Sequence, residues 1–247
     1  MKGLFAVIVL DLKRLWTDRV RLIVSLIQPL LYLFVLGSGL GASSIMGGGK
    51  YLAYIYPGVL GLSLLFSAVF AAMLIVIDRE MGFLKAVLVA PVPRPAIAAG
   101  KVLSGAIQAL VPAVILLILL PLLGIHTGYW RFLGLLGAML IAAVTFSALG
   151  VATAARFKST AVFPIIGNAV LLPLFFLSGA LYPLNNTPHW LRILAHFDPV
   201  AYAVDLMRGA TTGTLYFPLW LSCVVLAGFI IVLTALATQV FASGEDA

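Results

Sequence analysis

Charge is what this chain has least of. Of its 247 residues only 9% are Asp, Glu, Lys or Arg, whereas 63% are hydrophobic and the mean hydropathy is +1.18. Soluble domains carry about 25% charged residues, so a water-solvated globular fold is excluded and the bilayer solvates most of the surface. Cysteine is nearly absent too. Cys223 stands alone inside the last apolar run, which excludes an intrachain disulfide framework and a cysteine-cluster metal site and leaves a small packing residue. His126, His189 and His196 are too few and too scattered for a metal motif.

Other absences narrow the function. A phosphate-cradling loop needs G-x-x-x-x-G-K-[ST], and the nearest approach, Gly48-Gly49-Lys50-Tyr51, lacks the upstream glycine and has Tyr after Lys. The chain therefore does not bind ATP by that route. Its apolar runs hold essentially no ionisable residue away from their ends, so the titratable relay of a proton-driven transporter is missing. Any work must be powered elsewhere. No nucleophile–base or metal constellation marks an intramembrane enzyme, and a non-catalytic subunit is expected. No internal repeat is visible. Asn185-Asn186-Thr187 matches the glycosylation triplet, a pattern frequent by chance. The apolar run after Lys2 is cut short by Asp11, Lys13 and Arg14, so no cleaved leader is expected.

What is present is length. A helix needs about 20 apolar residues to cross roughly 30 Å of hydrocarbon. Six stretches qualify, at 22–42, 54–77, 102–124, 132–155, 160–182 and 216–241. The formal charge of +7 does not point to nucleic acid, because the basic residues flank apolar runs instead of forming a stripe. With the N-terminus inside, Lys2, Lys13, Arg14, Arg19, Arg21, Arg79, Lys85, Arg94, Lys101, Arg156 and Lys158 are cytoplasmic. Only Lys50, Arg131, Arg192 and Arg208 are external. Both termini are therefore expected in the cytoplasm.

Before the first span, Phe5, Val9, Leu12, Trp16 and Val20 recur at helical spacing, with Asp11, Arg14, Asp18 and Arg21 opposite. This pattern predicts an amphipathic interfacial helix over 1–21; the alternative is a helix docked on the cytoplasmic loops. Gly47, Gly48 and Gly49 read as a flexible external turn. The external segment 183–215 is long for a turn. It places Trp190, Ile193, Leu194 and Phe197 on one helical face and His189, Arg192 and His196 on another. Pro199 ends that helix and a second is expected over 200–208, both interfacial or re-entrant.

Residues 78–101, DREMGFLKAVLVAPVPRPAIAAGK, concentrate charge between two apolar runs. Asp, Lys or Arg costs about 2.5–3.5 kcal/mol at a helix centre, which keeps the segment in the cytoplasm. Pro91, Pro93 and Pro95 bound a short helix around 80–90. Gln28, Gln108, Asn168 and Gln239 are the notable polar side chains at membrane depth, and helix-packing hydrogen bonds explain them as readily as substrate does. Prolines and glycines within the spans, such as Gln28-Pro29, Pro57-Gly58, Pro112, Pro164 and Pro173, fit close packing or a pathway that opens.

Asp78-Arg79-Glu80-Met81-Gly82-Phe83-Leu84-Lys85, then Ala90-Pro91-Val92-Pro93-Arg94 and Gly100-Lys101, resembles the loop of ABC-2 type transporter permeases. The family pattern runs (D/E)-R-E-x-G-T-(L/M)-E-x-L, then x-x-(S/A/T)-P-(V/I)-x-R and a later G-K. Leu177-Ser178-Gly179-Ala180-Leu181-Tyr182-Pro183, with Pro188-His189-Trp190-Leu191, Phe197-Asp198-Pro199, Tyr202-Ala203-Val204-Asp205 and Arg208-Gly209, resembles that family's element before its last span. Phe83 and Lys85 depart from the usual Thr and Glu.

The resemblance implies an all-α membrane protein with an N-terminal interfacial helix and six transmembrane helices. It also implies a subunit that pairs with a second copy and with two ATP-binding cassette subunits in the inner membrane. ATP and Mg would be held by those partners and no cofactor by this chain. The loop helix would dock on the ATPase through Leu84, Val87 and Leu88, with Glu80, Lys85 and Arg94 giving orientation by charge. The matched Asp78, Arg79, Gly82 and Pro91 complete that set. In relatives the first, second and fifth spans line the cavity. The positions this implies are Phe66, Phe70, Asn168, Leu172, Phe175 and Phe176, and an apolar lining favours a hydrophobic drug, lipid or lipid-linked glycan. A self-contained channel or secondary transporter is the competing reading.

Overall fold

The computed structural model describes residues 19–42, 48–82, 93–125, 127–157 and 159–243, together with Val9, Asp11 and Lys13. Among them no strand occurs. The order is α1 (Arg19–Leu31), a π-helical turn (Tyr32–Leu36), α2 (Gly37–Ala42), α3 (Gly48–Glu80), α4 (Arg94–Leu116), α5 (Leu119–Leu122), α6 (Tyr129–Ala154) and α7 (Val162–Leu177). A 3-10 turn (Leu184–Asn186), α8 (His189–Phe197), α9 (Pro199–Thr212) and α10 (Leu219–Ser243) follow.

Among the described residues five helical segments are long and apolar enough to cross a bilayer: Leu22–Gly39, Tyr51–Glu80, Pro95–Leu122, Tyr129–Ala154 and Leu219–Phe241. The fifth expected span, 160–182, is shorter than its hydropathy suggested. Its helix, Val162–Leu177, has 16 residues, about 24 Å at 1.5 Å per residue. It stops because Ser178–Tyr182 folds into an irregular turn around Gly179, whose φ of +72° suits a residue without a Cβ.

The third span is also longer than read. Pro93 and Pro95 were expected to end a helix; instead Pro93 is the N-cap of α4 and Pro95 lies in its first turn, where a missing N–H leaves no bond unmade. Residues 94–101 are therefore helix, and the stretch linking α3 to α4 runs from 81 to 93. At its start Gly82, with φ +72°, closes α3 while its N–H donates to the Arg79 carbonyl at 3.0 Å. The short helix expected around 80–90 falls mainly on 83–92, outside the described residues, as do Leu84, Lys85, Val87, Leu88 and Pro91. Gly48 and Gly49, expected in a flexible turn, form the first turn of α3.

Burial ranks the helices. The most apolar stretch of α3 is 72% buried and α3 forms the centre, packed by α4, α6 and α9, whereas that of α10 is 11% buried and faces outward. Exposed Tyr129, Trp130, Trp190, Phe197 and Trp220 gather at the end opposite the 81–93 turn. Aromatic side chains favour headgroup depth, so they mark one membrane boundary. In α8 the apolar face expected from the sequence, Trp190, Ile193, Leu194 and Phe197, is exposed, as an interfacial helix requires. α9 differs. It extends to Thr212 and is buried along most of its length, so it belongs to the bundle core and not to the interface.

Candidate functional site

Two polar clusters and one cavity organise the bundle. The first cluster lies at the base of the 81–93 turn. Lys101 is 7% exposed, and its ammonium donates to both carboxylate oxygens of Asp11 at 3.1 Å and to Asp78 at 3.4 Å. Ser104 Oγ adds a 2.8 Å bond to Asp11. Asp11 had been placed on a polar stripe; here it is 2% exposed. Asp11, on the expected polar side, is thus turned into the bundle; the interfacial helix expected over 1–21 otherwise lies mainly outside the described residues. An ion pair this dry survives only when every charge has partners, and three elements supply them.

Arg79 and Glu80 face the neighbouring turn between α6 and α7. Arg79 donates to the Phe157 carbonyl at 2.9 Å, and Glu80 accepts from the Thr160 hydroxyl at 2.7 Å and backbone N–H at 3.1 Å. The Asp78-Arg79-Glu80 triplet thus ties the end of α3 to α4, to the N-terminal segment and to the 155–161 turn. Arg94 is described for its backbone, as the first residue of α4.

The second cluster caps the opposite end. The Gly179 carbonyl accepts from Tyr54 Oη at 3.1 Å and from the Arg208 guanidinium at 2.9 Å. That guanidinium also lies 4.2 Å from the Tyr54 ring centroid, a cation–π contact. Asp205 accepts the backbone N–H groups of Tyr216 and Phe217 at 2.9–3.1 Å. Tyr182 Oη bonds the Phe176 carbonyl and Tyr202 Oη the His196 carbonyl. Ser178, Tyr182 and Arg208 of the second sequence motif thus satisfy backbone at the end of the short α7, while Tyr202 and Asp205 satisfy backbone of α8 and of the chain entering α10.

Asp198 caps α9 by accepting the Val200 N–H at 2.8 Å, while its other carboxylate oxygen is buried without a partner among the described residues. Burial pushes its pKa up to about 8 against the backbone hydrogen bonds that lower it. The folded state thus holds this proton more tightly than the unfolded chain, so stability should fall as pH rises from about 4 and level off beyond about 8. Asp198→Asn keeps the capping oxygen and removes the titration. Its pH slope over that window, read by melting in detergent, should be flatter than that of the parent chain.

The cavity has a volume of about 430 Å³ and lies between α1, α3 and α4. α1 contributes Ser25, Gln28 and Pro29; α3 contributes Ser63, Phe66, Ser67 and Phe70; α4 contributes Gln108 and Pro112. Phe66 and Phe70 pack with ring centroids 6.0 Å apart. Met73 and Ile77 carry the lining towards the end of α3 that holds the 81–93 turn.

Of the pathway residues expected from the sequence, Phe66 and Phe70 are brought together here. The four on the fifth run are elsewhere. Phe175 is buried edge-on to Tyr32 and Phe176, Leu172 is half-buried, and Asn168 and Phe176 are exposed. The contribution of α4 was missed; its signal was Gln108, a lone amide in an apolar run.

A model of the ABC-2 type transporter family matches residues 2–212. The chain belongs to the ABC-2 type transporter family. Nodulation protein J of Rhizobium leguminosarum bv. viciae is 30% identical over 195 residues, covering 76% of this chain and 74% of that protein. The inner membrane transport permease YadH of Escherichia coli K12 is 27% identical over 234 residues, covering 94% and 90%. A putative transport permease, ycf38, of Cyanophora paradoxa is 27% identical over 198 residues. Within this ABC-2 chain Asp78, Arg79 and Glu80 of the first motif bond to neighbouring elements, and Ser178, Tyr182 and Arg208 of the second bond to backbone at the end of α7.

Proposed function

We propose that this chain is the permease subunit of an ATP-binding cassette exporter. It spans the inner membrane, as the name of its E. coli relative suggests, with both termini in the cytoplasm. Two copies form the pathway, and two separate ATP-binding subunits, which hold ATP and Mg, drive it. The cargo is a hydrophobic drug, lipid or lipid-linked glycan, and the chain itself is non-catalytic.

The observation that carries this reading is the buried Asp11–Lys101–Asp78 cluster. A turn whose two ends are locked together by a desolvated ion pair moves with the spans, so force on its tip reaches α3 and α4 instead of dissipating. Pairing is supported by Asn168. Its amide is exposed on an otherwise apolar helix, where a second copy could satisfy what lipid cannot.

The test is on the turn. In a complex with its ATP-binding partner, Leu84→Asp with Leu88→Asp should abolish substrate-stimulated ATP hydrolysis and transport while membrane insertion is unchanged. Transport by this chain alone, indifferent to loss of the ATPase, would overturn the reading in favour of a self-contained carrier.

A further inference from the structure

Two buried polar atoms in the cavity have no partner among the described residues: Ser63 Oγ and Gln108 Oε1. Ser63 is 1% exposed and Gln108 4% exposed. Leaving such a group unpaired costs about 1–3 kcal/mol. Several hydroxyls in the bundle avoid that cost by turning back on their own helix: Thr145 bonds the Ile141 carbonyl, Thr153 that of Leu149 and Thr238 that of Thr234. Ser222 and Thr234, outside the cavity, share the orphan state of Ser63 among the described residues. Ser63 sits on the central helix, aimed with Gln108 into a space walled by Phe66 and Phe70.

We propose that this cavity binds a neutral hydroxylated amphiphile, its hydroxyl groups donating to Gln108 Oε1 and accepting from Ser63 Oγ while its chain packs on Phe66 and Phe70. Neutrality follows from the lining, whose described residues include no ionisable side chain, so a charged head would be desolvated without compensation. A hydroxyl is the group that both donates and accepts, as the two orphans together require. The volume falls within the range of about 300–1,000 Å³ of ligand pockets. That this ligand is also the transported substrate rests on the permease reading; its binding does not.

The experiment uses the full chain in phosphatidylcholine nanodiscs, with radiolabelled 1-dodecanol measured by scintillation proximity. Saturable binding is expected, with dodecane, dodecyl sulfate and dodecyltrimethylammonium each competing at least about tenfold less well. Gln108→Met and Ser63→Ala should each weaken binding about fivefold to tenfold, the scale of one hydrogen bond. Ser222→Ala, which removes an orphan hydroxyl outside the cavity, should bind as the parent does.

Absence of saturable binding, equal competition by dodecane or by either charged analogue, or unaltered affinity in both cavity variants would overturn the proposal. The competition series needs no variant and so is independent of any folding defect. The two readings fail separately. Hydroxyl-selective binding beside an unaffected Leu84→Asp/Leu88→Asp complex removes the coupling reading alone. An uncoupled complex without that selectivity removes the cavity ligand alone.

Discussion

Lys101→Met should destabilise the fold by about 3–5 kcal/mol, the loss seen when one partner of a buried ion pair is removed. Methionine fills similar space, so the deficit is electrostatic: Asp11 and Asp78 remain dry with the shared cation gone. Ser104 still bonds Asp11, but a hydroxyl does not neutralise a carboxylate. The loss should appear as a lower melting temperature in detergent and as new protease cleavage in the 81–93 turn. Adding Asp11→Asn and Asp78→Asn to Lys101→Met should restore much of the stability, since it removes the buried carboxylate charge that the lysine balanced. A triple variant no better than the single one would assign the loss to packing. Coupling to the ATPase is expected to suffer more than stability, because asparagines do not grip the two ends of the turn as a cation does.

Gly58→Ala should be the second severe change. A Cβ at this position would stand 2.5 Å from the Ala180 carbonyl oxygen and 3.0 Å from its carbonyl carbon. Those are backbone atoms of the turn that Tyr54 and Arg208 hold in place, so neither side gives way cheaply. Overpacking of this kind costs about 1–3 kcal/mol. Gly137→Ala is the matched control. No atom lies within 4 Å of its Cβ position, and the change should stay within about 0.5 kcal/mol. Thermal melting of the two variants side by side separates close approach from the general effect of removing a glycine. Equal melting temperatures would mean that α3 and the Ala180 turn can part without penalty.

Five of the six expected spans were legible because charge in lipid is costly and the sequence keeps most charge near the ends of its apolar runs. What escaped were features that depend on distance along the chain. Lys101 reads as a loop residue since it adjoins Gly100 and a proline-rich stretch; its partner Asp11 lies 90 positions away. The end of α7 was hidden because apolar residues run on past Leu177, and only Gly179 interrupts the helix. The cavity was half found. Phe66 and Phe70 stand one helical turn apart on one element, whereas Gln108 meets them only after α4 packs on α3. The fifth run was placed in the pathway by likeness to relatives, and its side chains lie away from this cavity.

The brevity of α7 has a consequence for the surrounding lipid. About 24 Å of helix set against about 30 Å of hydrocarbon leaves a mismatch of several ångströms. Acyl chains beside Ile165 and Val170 must compress to meet it, at a fraction of a kcal/mol per ångström. Two copies that hide their α7 helices against each other escape that deformation. Under the proposed pairing, membrane thickness would set how strongly the copies associate, and thicker, sterol-rich bilayers would favour the pair.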